Sequence, residues 1–158
     1  MVTRRFALLL GVVFLLVGIL GFVPGVNSMH HSDDGGTLKV TDPGHGMLLG
    51  LFHVNVLHNL VHILFGVGGI VASRTFPAAR GYARFVAIAY ALLAILGMIP
   101  TANVWNTFGL IPISGNDVWL HALIAAAAAF VGFGGIRETA PGNAPYSTTT
   151  TTDTTPRA

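Results

Sequence analysis

Four stretches of this chain are apolar for long enough to cross a lipid bilayer, and no other feature constrains its fold as tightly. A spanning helix needs about 20 predominantly apolar residues, within a range of about 17–25. Residues 6–23, 55–73, 82–99 and 117–136 meet that requirement. Composition agrees: of 158 residues, 53% are hydrophobic and 9% are charged, against about 25% charged in soluble domains. A water-soluble core built from this chain would lack the polar residues to cover it. The expected class is all-α, a bundle of four transmembrane helices.

Punctuation and charge fit the same plan. Pro24 and Gly25 follow the first segment and Pro100 the third, while Asn55 and Asn116 or Asp117 are N-cap residues for the second and fourth. If the segments alternate across the membrane, Arg4, Arg5, Arg74, Arg80, Arg84, Arg137 and Arg157 share one side, and Lys39 alone takes the other. Basic residues concentrate on the cytoplasmic side, so both termini are expected inside, with residues 24–54 and 100–116 outside. A membrane domain over 1–138 is followed by a Thr- and Pro-rich tail, 139–158, expected to be disordered in the cytoplasm because it has almost nothing to bury.

The outer loop 24–54 reads as polar, Gly-rich and irregular. Within it, residues 47–54 are apolar but too few to span, which suits an interfacial or re-entrant piece, or an upward extension of the second helix. A cleaved signal peptide is the rival reading of the first segment, with Arg4 and Arg5 ahead of it and Val26, Asn27 and Ser28 behind. Its apolar stretch of about 18 residues exceeds the usual 7–15, so a retained helix is preferred. The segment ends also echo one another: ILGFVP at 19–24 matches ILGMIP at 95–100, and GVGGI at 66–70 matches GFGGI at 132–136. Such matches suggest a parallel repeat of helical hairpins.

The second segment opens on NVLHNLVH, placing Asn55, His58, Asn59 and His62 where hydrocarbon is expected. At about 100° per residue these four occupy an arc of roughly 100°, and Gly66 and Gly69 continue it toward the cytoplasm. Small residues let a neighbouring helix approach where lipid supplies no hydrophobic drive, so this stripe is expected to face protein. His121, four residues after Asp117, lies at nearly the depth of His58, beside Trp119, an interfacial anchor. His58, His62 and His121 are therefore expected to converge in the outer half, with Asn55 and Asn59 hydrogen-bonding among them.

Three chemistries are compatible with such a cluster. His58 and His62, at i and i+4, with His121 as a third ligand, suit a divalent metal with an open position. The residue after His58 is Asn59, so HNLVH is not the zinc-protease motif HExxH. A haem would need axial ligands from opposing helices, such as His62 and His121. A proton relay would have to continue across the membrane, yet the second helix has no ionisable residue below His62. The plainer reading, and the preferred one, is a structural network of buried polar side chains. Outside the membrane, Met29, His30, His31, Asp33 and Asp34 form a set that suits copper, nickel or zinc, but a solvated flexible loop is the preferred reading. The Ala125 to Ala129 run reads as an internal packing face.

Several classes fall away. Without cysteine, the chain holds no disulfide, thiolate metal site or iron–sulfur cluster. Its basic residues lie scattered at segment ends and form no patch that tracks nucleic acid. Asp117 and Glu138 are too far apart for paired-carboxylate catalysis, and no phosphate loop or nucleophile elbow occurs.

The pattern G-x-F-x-V-N-x-x-H-N-x-x-H-x-x-x-G at 50–66, the LLAILGMIP of the third segment and NDVWLHALIAAAAAFVGF at 116–133 together resemble the bacterial membrane family called domain of unknown function 4383. The resemblance runs over about residues 6–136. It maps the family pattern onto Asn55, His58, Asn59, His62, Gly66, Trp119, Leu120 and His121. It implies a four-helix protein of the bacterial cytoplasmic membrane and names no reaction. The expected function is thus a non-enzymatic, multi-pass membrane protein whose main partner is the lipid bilayer, with no cofactor. A metal- or haem-binding, redox-linked protein is the alternative, and a transporter or channel subunit acting as a homo-oligomer is the third.

Overall fold

The computed structural model describes residues 1–29, 46–99, 110–113 and 115–136. Among them the order is α1 (Val2–Leu20), β1 (Asn27–Met29), β2 (Gly46–Leu48), β3 (Phe52–Val54), α2 (Val56–Ala72), α3 (Phe76–Met98) and α4 (Asn116–Phe133). The class is all-α with one small sheet at the outer end. The tail 139–158, the set His30, His31, Asp33 and Asp34, and residues 100–109 lie outside the described residues.

The helix ends follow local backbone chemistry rather than apolarity. α3 begins at Phe76, well before residue 82, because Thr75 caps it by accepting from the Ala78 amide at 3.4 Å and Pro77 sits in its first turn. Arg80 and Arg84 therefore lie inside the helix, not in a link. α1 likewise starts at Val2 and takes in Arg4 and Arg5. α4 stops at Phe133, ahead of Gly134 and Gly135, the latter at φ +72°.

The expectation for the outer loop needs correction. Residues 47–54 are neither a re-entrant piece nor an extension of the second helix. Strands β1, β2 and β3 form an antiparallel sheet in that order, with Leu48 opposite Phe52 and Met47 opposite His53. Leu49 and Gly50, at φ +55° and +69°, make a tight turn with two successive left-handed residues, the geometry that matches the twist of a hairpin. The Leu49 amide then donates to the Val26 carbonyl at 2.9 Å, tying the turn back to the first strand.

The bundle is two antiparallel helix pairs, α1 with α2 and α3 with α4. α1 and α2 touch backbone to backbone: a Cβ on Gly66 would stand 2.6 Å from the Leu15 nitrogen, and one on Gly69 would stand 2.8 Å from the Gly11 Cα. That seam is the close approach expected of Gly66 and Gly69. The pairs meet across an aromatic core in which Phe14 stacks on Tyr90 at 5.3 Å, with Phe65 edge-on to both. Val86, Ala87, Ala125 and Ala128 fill the remainder, so the alanine run is internal at those positions.

The polarity of the bundle is inverted relative to a soluble protein. Asn59 is 1% exposed, whereas Leu64 and Phe130 are each 70% exposed. Three helices, α1, α3 and α4, are long and apolar enough to cross a membrane, and α2 is apolar but has 17 residues. These features mark a membrane protein. The described arginines gather at the end away from the sheet, where Arg4 Nε donates to the Ser73 carbonyl at 2.9 Å. Arg80 and Arg84 both donate to the Gly132 carbonyl, at 3.1 and 2.9 Å, satisfying the C-terminus of α4.

Gly66→Leu should lower stability by about 1–3 kcal/mol, the usual range for overpacking, because the Leu15 backbone has no room to move. Gly81→Ala is the control, since nothing among the described residues lies within 4 Å of a Cβ there. Thermal unfolding in detergent should show a large drop for the first and none for the second; equal melting would contradict the seam.

Candidate functional site

The site is assembled where the heads of α2 and α4 meet the sheet. Asn55 is extended, at φ −139° and ψ 177°, and caps α2 by accepting from the His58 amide at 2.7 Å. Its amide group donates to the Leu110 carbonyl at 2.8 Å, joining α2 to the segment before α4. One turn on, the His58 ring pairs through Nδ1 with the His53 carbonyl at 3.1 Å, back in β3. From α4, the Asp117 carboxylate accepts from the His53 amide at 3.3 Å, and Asn116 donates to the Leu51 carbonyl at 3.5 Å. Strand β3 is thus held from both sides.

His58 and His62 stack ring on ring at 4.6 Å, and His62 meets the edge of Phe14 at 5.5 Å. The Nδ1 of His62 pairs with the His58 carbonyl at 3.2 Å. A carbonyl only accepts, so each of these bonds places the ring proton on Nδ1 and leaves the neutral imidazole's lone pair on Nε2. His121 is buried, packs edge-on to Tyr90 at 4.9 Å, and its Nδ1 has no hydrogen-bond partner among the described residues.

His58, His62 and His121 line one cavity of about 160 Å³, together with Asp117 and Tyr90. Its other walls are apolar: Val13, Phe14 and Val17 from α1, Ile124 from α4, and Leu48 and Phe52 from the sheet. Among the described residues, however, no three His, Asp or Glu side chains are grouped so as to hold one metal ion.

Asn59 departs from the expected network. It faces α1, filling the space beside Gly21, and its Oδ1 has no hydrogen-bond partner among the described residues. The polar stripe of α2 is therefore divided. His58 and His62 face the cavity, while Asn59 and Gly66 face α1, where Gly18 approaches the Asn59 carbonyl. Trp119 is 73% exposed at the outer end of α4, as an interfacial anchor would be, and Leu120 joins the cavity wall.

Two residues of the site escaped sequence reasoning. Asp117 serves the site as a buried acceptor as well as standing at a helix start; the signal was a carboxylate one turn before His121. Tyr90 was overlooked in the apolar stretch of α3 that follows Arg84, although a tyrosine in mid-span needs somewhere for its hydroxyl-bearing ring to go.

Comparison with known proteins adds one result. No curated protein and no solved structure matches the chain. The family model described as "Domain of unknown function (DUF4383)" matches residues 4–134. That interval contains the four helices apart from the first two residues of α1, the sheet and the histidine-lined cavity, and the chain belongs to this family.

Proposed function

We propose that this chain is a non-enzymatic, multi-pass protein of the bacterial cytoplasmic membrane, with both termini inside. Its polar cluster serves to fasten an extracytoplasmic cap onto the heads of α2 and α4. The observation that carries this reading is where the bonds end. Asn55 reaches the Leu110 carbonyl and the His58 amide, His58 reaches the His53 carbonyl, and Asp117 accepts the His53 amide. All four partners are backbone groups, which cost several kcal/mol each if left unpaired in a membrane. The arginine-rich end supports the orientation.

A metal-binding, redox-linked role is the second reading, favoured by the three imidazoles that line one cavity. Haem fits less well, because 160 Å³ lies below the roughly 300 Å³ at which ordinary ligand pockets begin. Elemental analysis of detergent-purified protein separates the readings. The structural role predicts no stoichiometric metal; about one zinc, copper or nickel per chain would replace it.

Asn55→Ala should cost about 1–3 kcal/mol, combining a lost N-cap with a lost cross-link. Asn55→Ser keeps a capping oxygen without placing a charge against the Leu110 carbonyl and should lose less. If the alanine variant melts like the parent, the fastening role fails. Orientation can be read directly because the chain has no cysteine. Leu51→Cys should react with an impermeant maleimide on intact cells, and Arg74→Cys only after permeabilisation; the opposite pattern would reverse the topology.

A further inference from the structure

The fastening role accounts for the sheet end of the molecule, and the opposite end carries a feature it does not use. An open pocket of about 350 Å³ is lined there by Met1, Arg4, Arg5 and Leu8 at the start of α1 and by Ser73 and Arg74 just past α2. Three arginines from the ends of two helices share this pocket, and no carboxylate lines it. Asp117, the one acidic residue among the described residues, stands at the sheet end. We propose that this pocket binds the headgroup phosphate of an anionic glycerophospholipid, held by Arg5 and Arg74.

Arginine on the cytoplasmic side is expected of any multi-pass membrane protein, but that rule does not gather three of them into one pocket. The arginines also differ in what they already hold. Arg80 and Arg84, on the other helix pair, both donate to the Gly132 carbonyl. Arg4 is oriented by its bond to the Ser73 carbonyl at 2.9 Å, which ties the start of α1 to the end of α2 at the pocket. Arg5 and Arg74 are exposed, and their side chains make no hydrogen bond or ion pair among the described residues. A guanidinium fork matches two oxygens of a phosphate. In addition, α1 starts without a side-chain cap, so its first-turn amides and the positive end of its dipole favour an anion at the same place.

The surface next to the pocket selects a lipid over a soluble phosphate. Leu8, Val12 and Leu16 follow Arg4 along α1 at four-residue spacing, and all three are exposed; residues so spaced are neighbours on a helix surface. Leu64, Val67 and Val71 are exposed along α2 in the same way. A phosphate in the pocket therefore stands at the head of apolar strips that receive acyl chains. Charge selects an anionic headgroup over a zwitterionic one: both carry the phosphate, but a choline cation would be set against three arginines. Basic pockets between helices at the cytoplasmic face are suited to such headgroups.

The test adds phosphatidylglycerol or phosphatidylcholine to the full-length protein in detergent and counts bound lipid by native mass spectrometry. The first phosphatidylglycerol should bind at least about tenfold more tightly than the first phosphatidylcholine. Arg5→Gln combined with Arg74→Gln should erase that preference. Arg137→Gln combined with Arg157→Gln, which removes the same charge elsewhere, should keep it. Glycerol 3-phosphate at millimolar concentration carries the phosphate without acyl chains and should leave the lipid bound. Equal binding of the two lipids, a preference that survives the loss of Arg5 and Arg74, or an equal loss in the control pair would overturn the site. Displacement by glycerol 3-phosphate would assign the pocket to a soluble phosphate and overturn the lipid. Lipid in detergent reaches both ends of the protein, so the outcome does not depend on which end is cytoplasmic. The maleimide pattern and the melting of Asn55→Ala therefore stand or fall separately from this site.

Discussion

A backbone that leaves the helical state within or near hydrocarbon must find hydrogen-bond partners inside the protein, and the outer half of this molecule is arranged around that constraint. α2 has 17 residues, which at 1.5 Å each give about 26 Å, less than the roughly 30 Å of a hydrocarbon core. The chain immediately before it, β3, therefore lies close to the membrane in an extended form. Its amides and carbonyls are met by β2 on one edge and by Asp117 and His58 at His53. The polar residues at the head of α2 are the consequence of that helix starting low.

The glycine seam makes the same arrangement workable lower down. With Gly11 against Gly69 and Gly66 against Leu15, α1 and α2 pack closely, and their rings Phe14 and Phe65 meet Tyr90 of the other helix pair. Those rings join the two pairs at mid-depth. Beyond them toward the sheet lies the cavity lined by His62 and His121, with Leu48 and Phe52 of the sheet in its wall.

How much of this was readable in the sequence depends on the length of the signal. Four apolar runs, the arginines at alternate ends and the i, i+4 spacing of His58 and His62 are patterns over many residues, and they predicted the helices and the facing of the stripe. Strands of three residues carry no periodicity, and a Leu49–Gly50 turn lacks the Asn-Gly or Asp-Gly signature of a hairpin, so the sheet was unreadable. The α3 boundary was misplaced because apolarity ends at Arg84 while the capping chemistry begins at Thr75. Asn59 was assigned to the histidines because a single helix wheel cannot say where one neighbour stops and a cavity begins. The part played by Tyr90 depends on a contact with His121 across two helices, which no local pattern encodes.

The claim that polar side chains of α2 and α4 hold the cap can be tested at a single amide. Hydrogen exchange at His53 in lipid nanodiscs should be slow, comparable with the interior amides of α2, because Asp117 accepts its proton. In Asp117→Ala it should accelerate by at least tenfold, about 1.4 kcal/mol, with α2 unchanged. Exchange of the His53 amide at the rate of an unstructured peptide in the parent protein, or no change on removing the carboxylate, would contradict the account.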